Sequence, residues 1–372
     1  MDFNYSPEQE LLREAAHDLF QEIGGPSAAR RAYRDGAAVA SGLQRRLAEQ
    51  GLLGASVPEE AGGSALSPLD VALIFEAAGQ TLLPYPLVET YVAGSLLSRF
   101  GSARLQSRRM ARLAEGMDLV TVAWGSPDGL WSMRGVQADA RSGAIRLYGR
   151  RTFVPFGMAA GWAVVPVEWK ADGSFAVALV DLNRDGVTAL ALHALDGSCP
   201  LATLDFHGCE IEAAEVLTGA GRSWTAAVRL GWVLLAQEAL GATEQVFWQT
   251  VEYVKVREQF GQPVGRFQAV KHTAADDYLL VESARVANRY AAWRLAEDED
   301  DAALYAAMAK AYASDMARRV TGDAIQLHGG IGYTWDSDVH LYFKRAWRIA
   351  AQLGTAVALR ARMARTLLEE DV

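Results

Sequence analysis

The 372-residue chain is 51% hydrophobic and 22% charged, with a net charge of −9, which is material for two or three structural units or one large composite. Its 36 Lys and Arg against 45 Asp and Glu disfavour nucleic acid as the main ligand, because a duplex-binding protein needs a basic surface. Two cysteines, Cys199 and Cys209, supply neither a disulfide framework nor a structural zinc site.

The N-terminal Met1-Asp2-Phe3-Asn4-Tyr5 lacks the basic-then-apolar order of a signal peptide. Ser6 and Gln9 then form a capping-box pattern, with Pro7 at the favoured first helical position. Apolar residues at Leu11, Leu12, Ala15 and Leu19 follow helical spacing. A second helix fits Val39–Leu53, and the breaker-rich stretch from Gly54 to Gly63 is a loop. Helical patterns return at Pro68–Gly79 and Pro86–Phe100.

From about Asp118 to Leu217 the pattern changes. Short β-forming runs at Leu119–Ala123, Ala144–Tyr148, Trp162–Pro166, Phe175–Leu182 and Gly186–Leu192 are separated by Gly, Asp and Asn. They predict an antiparallel sheet or small barrel. The longest uncharged stretch, Thr152–Val167, contains Pro155, Gly157, Gly161 and Pro166. It falls short of the ~20 residues that a membrane helix needs. The expectation is a cytoplasmic protein without a membrane span.

Helical periodicity resumes after Ser223, running from Ala226 to Val256, stopping at Gly261-Gln262-Pro263 and restarting near Phe267. The acidic run from Glu297 to Asp301 predicts a solvated turn. Further helices are expected at Ala302–Leu327 and Tyr342–Leu368.

Two stretches in this region carry chemistry. In the first, from Tyr253 to Gln268, a helix ends in Arg257, Phe260 enters the turn, and a new helix opens at Phe267-Gln268. An arginine beside a helix N-terminus suits a diphosphate; a Gly/Pro-stopped helix with a surface arginine fits the same spacing. The second stretch is Gln326-Leu327-His328-Gly329-Gly330-Ile331-Gly332-Tyr333. Its glycines let backbone approach a ligand, or simply make a turn. His328 has no second ligand at i+3 or i+4, so no metal site is expected.

Together these stretches resemble the acyl-CoA dehydrogenase family. The shared pattern covers Tyr253, Arg257, Gln259, Phe260, Gly261, Pro263, Gly265, Phe267 and Gln268, then Gln326, Gly329, Gly330, Gly332 and Tyr333. Gly51-Leu52-Leu53 followed by Val57 to Gly63 also fits. The resemblance implies an α+β fold: an N-terminal helical domain (1–117), a middle β-sheet or barrel domain (118–220) and a C-terminal four-helix bundle (221–372). It also implies FAD chemistry on an acyl-CoA thioester, in which a carboxylate removes the α-proton while the β-hydrogen leaves as hydride.

The family's cofactor runs across a subunit interface, so the resemblance implies two sets of FAD contacts. The set given to a neighbouring subunit is present here as Arg257, Gln259, Phe260, Gln268, Gln326, Gly329 and Gly330. The host set is poorer. Family members place a Thr-Glu-Pro-x-x-Gly-Ser stretch under the flavin, where this chain has Ala123 to Gly129 with the bulky Trp124. The family's later Trp-Ile-Thr-Asn contact stands here as Thr152-Phe153-Val154-Pro155, with proline in place of the usual polar contact.

The family's catalytic glutamate precedes a Gly-Thr pair, here Leu353 before Gly354-Thr355. The alternative position on the long helix is Gly231. Neither can take a proton. Glu238, seven residues further on, is either a displaced base or a satisfied or interface glutamate. This combination resembles the non-catalytic, β-type chain of α2β2 acyl-CoA dehydrogenases, several of which act on steroid side-chain thioesters. There a second acyl-CoA dehydrogenase subunit carries the base and most of the acyl-CoA site. A flavin-free structural pseudoenzyme and an active homomeric oxidase or monooxygenase relative remain open readings.

Overall fold

The computed structural model describes residues 5–36, 38–141, 144–219, 221–298 and 301–369. Residues 1–4 of the N-terminal stretch, and Glu299 and Asp300 of the acidic run, lie outside them. From the N-terminus come α1 (Pro7–Glu22), α2 (Gly25–Asp35), α3 (Ala38–Glu49), α4 (Pro68–Gln80), α5 (Leu87–Phe100) and α6 (Ala103–Ala114). Seven strands follow: β1 (Val120–Val122), β2 (Val136–Arg141), β3 (Ala144–Pro155), β4 (Trp162–Trp169), β5 (Phe175–Asp181), β6 (Val187–Leu192) and β7 (Leu201–Ile211). The chain ends in α7 (Gly221–Val256), a hairpin of β8 (Glu258–Gln259) and β9 (Gln262–Pro263), then α8 (Gln268–Ala296), α9 (Ala302–His328), α10 (Val339–Ala351) and α11 (Ala356–Glu369). Among the described residues no helix is long and apolar enough to cross a membrane.

These elements form two compact units, Met1–Ala29 with Pro68–Leu83 and Trp232–Val372, and Arg30–Ser67 with Pro84–Gly231. In the first, the expected capping box starts α1: the Gln9 N–H donates to Ser6 Oγ (3.2 Å) and the Ser6 N–H to Gln9 Oε1 (3.1 Å). Helices α4 and α7 touch backbone to backbone. A Cβ on Gly79 would lie 2.1 Å from Glu238 O, and one on Gly241 1.9 Å from Glu76 O, so neither position tolerates a side chain. Asn288 on α8 donates to Ala236 O on α7 (2.8 Å), and α9 packs against α8, α10 and α11.

The second unit is built on the sheet, in the order β1-β4-β2-β3-β7-β6 with β5 on β4. Its core comes from inward residues such as Val136, Leu147, Val165, Ala178, Leu204 and Phe206. The expectation of antiparallel pairing needs correcting. β4 runs parallel to both β1 and β2, lying between them in the sheet and reached by crossover connections instead of hairpins. Strands β2 and β7 were not anticipated, since charged and Gly residues such as Asp139, Asp205 and Gly208 mask their apolar alternation.

Helix ends also differ from the expected ones. The helix expected over Val39–Leu53 stops at Glu49, before Gly51 with φ +70°. The one expected over Tyr342–Leu368 is two helices, broken where Leu353 (φ +57°) and Gly354 (φ +104°) turn the chain left-handed.

Candidate functional site

Helix α7 hands over to α8 through a tight hairpin. Glu258 pairs with Pro263 and Gln259 with Gln262, leaving Phe260 (φ +57°) and Gly261 (φ +76°) at the tip. Two consecutive left-handed residues are what a type I′ turn demands. Glycine adopts that conformation freely, whereas at Phe260 it costs about 1–2 kcal/mol. The Phe260 ring meets Phe267 edge-on at 6.1 Å but is 91% exposed, so both backbone strain and apolar surface are carried at one position. Strain of this kind concentrates at functional sites.

The other candidate residues around the hairpin are also open. Arg257, Gln259, Gln268, Gln326, Gly329 and Gly330 are all exposed. Among the described residues the Arg257 side chain has no ion-pair or hydrogen-bond partner. Phe267, the N-cap of α8, makes no side-chain cap, so the first N–H groups of that helix lack an internal acceptor. A Cβ on Gly329 or Gly330 would meet nothing within 4 Å, and Gly329, at φ +65° and ψ −144°, holds a conformation open essentially to glycine alone.

Tyr253 and His328 join the two motifs. The rings stack at 4.2 Å and 17°, and the Tyr253 hydroxyl donates to His328 O (3.4 Å). His328 Nδ1 lies 2.8 Å from Ala324 O, and burial lowers its pKa. A neutral ring donating from Nδ1 is a brace between helix ends. Among the described residues no group of His, Cys, Asp and Glu could hold a metal.

At the two positions that the resemblance gives to the family's base, the chain has no acid. Gly231 lies within α7, and Leu353 is 2% exposed in the α10–α11 turn. The Trp232 indole, next to Gly231, donates to Leu353 O (2.8 Å). Glu238 is buried between two guanidiniums, with Oε1 accepting from Arg345 Nη1 (2.7 Å) and Arg348 Nη2 (2.5 Å). A carboxylate so clamped is an ion-pair anchor, which is the satisfied reading of Glu238.

The sequence reading missed Lys310 on α9, which is fully buried. Its Nζ donates to Ala350 O (3.2 Å) and Gly354 O (2.5 Å), closing the turn that holds Leu353. Burial pushes its pKa down to about 7. The available signal was one lysine among the buried alanines of α9, including Ala306, Ala307, Ala309, Ala311 and Ala313.

The stretch corresponding to the family's flavin cradle is closed on itself. Trp124 is wholly buried, its indole donating to Glu89 Oε1 (3.0 Å) and its ring tilted against Trp224 at 5.4 Å. The Thr152 N–H donates to Gly125 O (3.0 Å). The groups that the resemblance would set against a flavin ring are thus occupied by the chain itself, an arrangement that does not fit a flavin.

Comparison with known proteins matches this geometry to a family. The models for the acyl-CoA dehydrogenase N-terminal and C-terminal domains match residues 6–117 and 224–368. Acyl-CoA dehydrogenase FadE27 of Mycobacterium tuberculosis is 35% identical over 88% of both chains. Among solved structures, the ChsE4-ChsE5 complex from Mycobacterium tuberculosis aligns with a TM-score of 0.90, 31% identity and 99% coverage of each chain. The Tcur3481-Tcur3483 steroid ACAD aligns at 0.89, with 28% identity and 98% coverage of each. The chain belongs to the acyl-CoA dehydrogenase family, with its helical–sheet–helical fold.

Proposed function

We propose that this chain is the non-catalytic, β-type subunit of a heteromeric FAD-dependent acyl-CoA dehydrogenase of the α2β2 kind, acting in the cytoplasm. One contrast carries the reading. The reach-across residues Arg257 and Phe260 are open, and among the described residues the Arg257 side chain has no partner, while Gly231 and the buried Leu353 offer no general base. The three-part division at 1–117, 118–220 and 221–372 belongs to the same reading. Neighbours described as the ChsE4-ChsE5 complex and a steroid ACAD support a heteromer and a bulky, steroid-type acyl-CoA thioester as its substrate.

In this assignment the partner subunit holds most of the acyl-CoA, supplies the carboxylate that takes the α-proton, and passes electrons to an external acceptor. When bound, FAD accepts the hydride that leaves the β-carbon. Arg257 binds the diphosphate by charge-assisted hydrogen bonds, aided by the uncapped N-terminus of α8 at Gln268. Phe260 offers an apolar face to the ADP half. Gln259 and Gln326 supply amide groups, and Gly329 and Gly330 expose backbone for close approach.

The test is co-expression with a base-bearing acyl-CoA dehydrogenase partner, followed by flavin content and acyl-CoA oxidation for wild type and Arg257→Ala. The variant complex is expected to lose its flavin and activity together. Unchanged flavin and turnover would remove the assignment.

A further inference from the structure

Arg151 on β3 is fully buried, yet among the described residues it makes no ion pair. Main-chain carbonyls satisfy it instead. Nε donates to Ala123 O (2.9 Å), Nη2 to Trp124 O (2.6 Å) and Ser132 O (2.9 Å), and Nη1 to Arg134 O (2.5 Å). One rigid fork therefore gathers both ends of the segment 123–134 onto a single strand, a task suited to the fixed donor geometry of guanidinium. Burial pulls its pKa down to about 9, opposed by Asp128, so the fork stays charged at neutral pH.

Within the segment, most remaining polar groups are also satisfied locally. The Ser126 N–H donates to Leu130 O (2.8 Å) and the Gly129 N–H to Ser126 O (3.0 Å). The Leu130 N–H donates to Asp128 Oδ1 (3.0 Å). The backbone is also pressed close: a Cβ on Gly125 would lie 2.4 Å from Thr152 O. An isoalloxazine ring needs hydrogen-bond partners along its polar edge, and opening this segment to supply them would strand four carbonyls, two of them in buried contacts, and a buried cation.

We propose that Arg151 is a clasp that shuts segment 123–134 over the family's flavin seat, so that this chain cannot host a flavin of its own. The inference deepens the proposed function and rests on it for where that seat lies. It assigns Arg151 a positioning role through backbone carbonyls, and it explains a half-empty assembly by an added lock as well as by missing contacts.

Hydrogen–deuterium exchange across residues 124–134 tests the clasp directly, in the wild-type chain alone and in Arg151→Lys, with and without saturating FAD. Lysine keeps the charge but concentrates its donors on one nitrogen, which cannot span four carbonyls. The wild-type segment is expected to be protected, unaffected by FAD, and in a chain without bound flavin. Exchange in Arg151→Lys should be roughly 10- to 100-fold faster there, with the strands β4–β5 unchanged. Equal exchange in the two proteins would overturn the clasp, as would FAD-dependent protection or one flavin per wild-type chain. Should Arg151→Lys fail to fold, the FAD arm on the wild type still decides. The two readings fail separately, because the flavin content of the Arg257→Ala complex tests the shared site and exchange in the chain alone tests the clasp.

Discussion

The hairpin after α7 and the segment 123–134 both centre on an arginine, an aromatic residue and glycines, and they use them in opposite ways. At the hairpin, the Arg257 side chain has no partner among the described residues and Phe260 is held left-handed in solvent. In the segment, Arg151 spends its donors on four carbonyls and Trp124 is buried with its indole hydrogen-bonded. Self-satisfied polar groups close a surface, whereas groups left open at a cost to the isolated chain await something from outside. The contrast supports the proposed reading, in which a family member lacks its own cofactor seat while keeping what it lends to a neighbour.

The sharpest break in that contrast is Arg151→Met. It should destabilise the chain by about 3–5 kcal/mol by stranding buried carbonyls, read as a lower denaturant midpoint. Next comes Arg257→Ala, which should cost about 1.5–3 kcal/mol of FAD binding in the complex. In the chain alone it should shift unfolding by no more than about 0.5 kcal/mol. A large stability loss there would make Arg257 structural and erase the difference between the regions.

Lys310 extends the comparison to the turn that holds Leu353, the position the resemblance gives to the family's base. Its pKa is lowered from 10.5 to about 7, so between those values the unfolded chain binds the extra proton. Stability relative to Lys310→Met should therefore rise with pH from about 7 to about 10.5, by at most about 1.4 kcal/mol per unit, and be lost as pH falls back toward 7. Urea unfolding of both proteins at several pH values checks this; a pH-independent difference would show a lysine that stays charged throughout. The smallest effect belongs to Phe260→Gly. Relief of the left-handed strain should offset glycine's entropy and keep the chain's stability within about 1 kcal/mol, while flavin content of the complex falls.

Much of this was legible because it is local. The Ser6–Gln9 cap, the break at Gly261-Gln262-Pro263 and the glycines after His328 each act within a few residues, and spacing reveals them. The closed clasp was not legible, because Arg151 reaches carbonyls 17 to 28 positions away. Glu238 is decided by Arg345 and Arg348, 107 and 110 positions away. Likewise Lys310 answers to Ala350 and Gly354, and the parallel placement of β4 rests on pairing with β1 and β2, strands distant from it in the sequence. Leu353 and Gly354 marked an empty base position in the sequence; that they also end α10 appears only in their backbone angles.

Flavin counted per chain tests the central claim most directly. The chain purified alone should carry none, and the complex with its base-bearing partner should carry fewer flavins than chains, with acyl-CoA oxidation appearing only there. One flavin per chain and turnover from this chain alone would contradict the account.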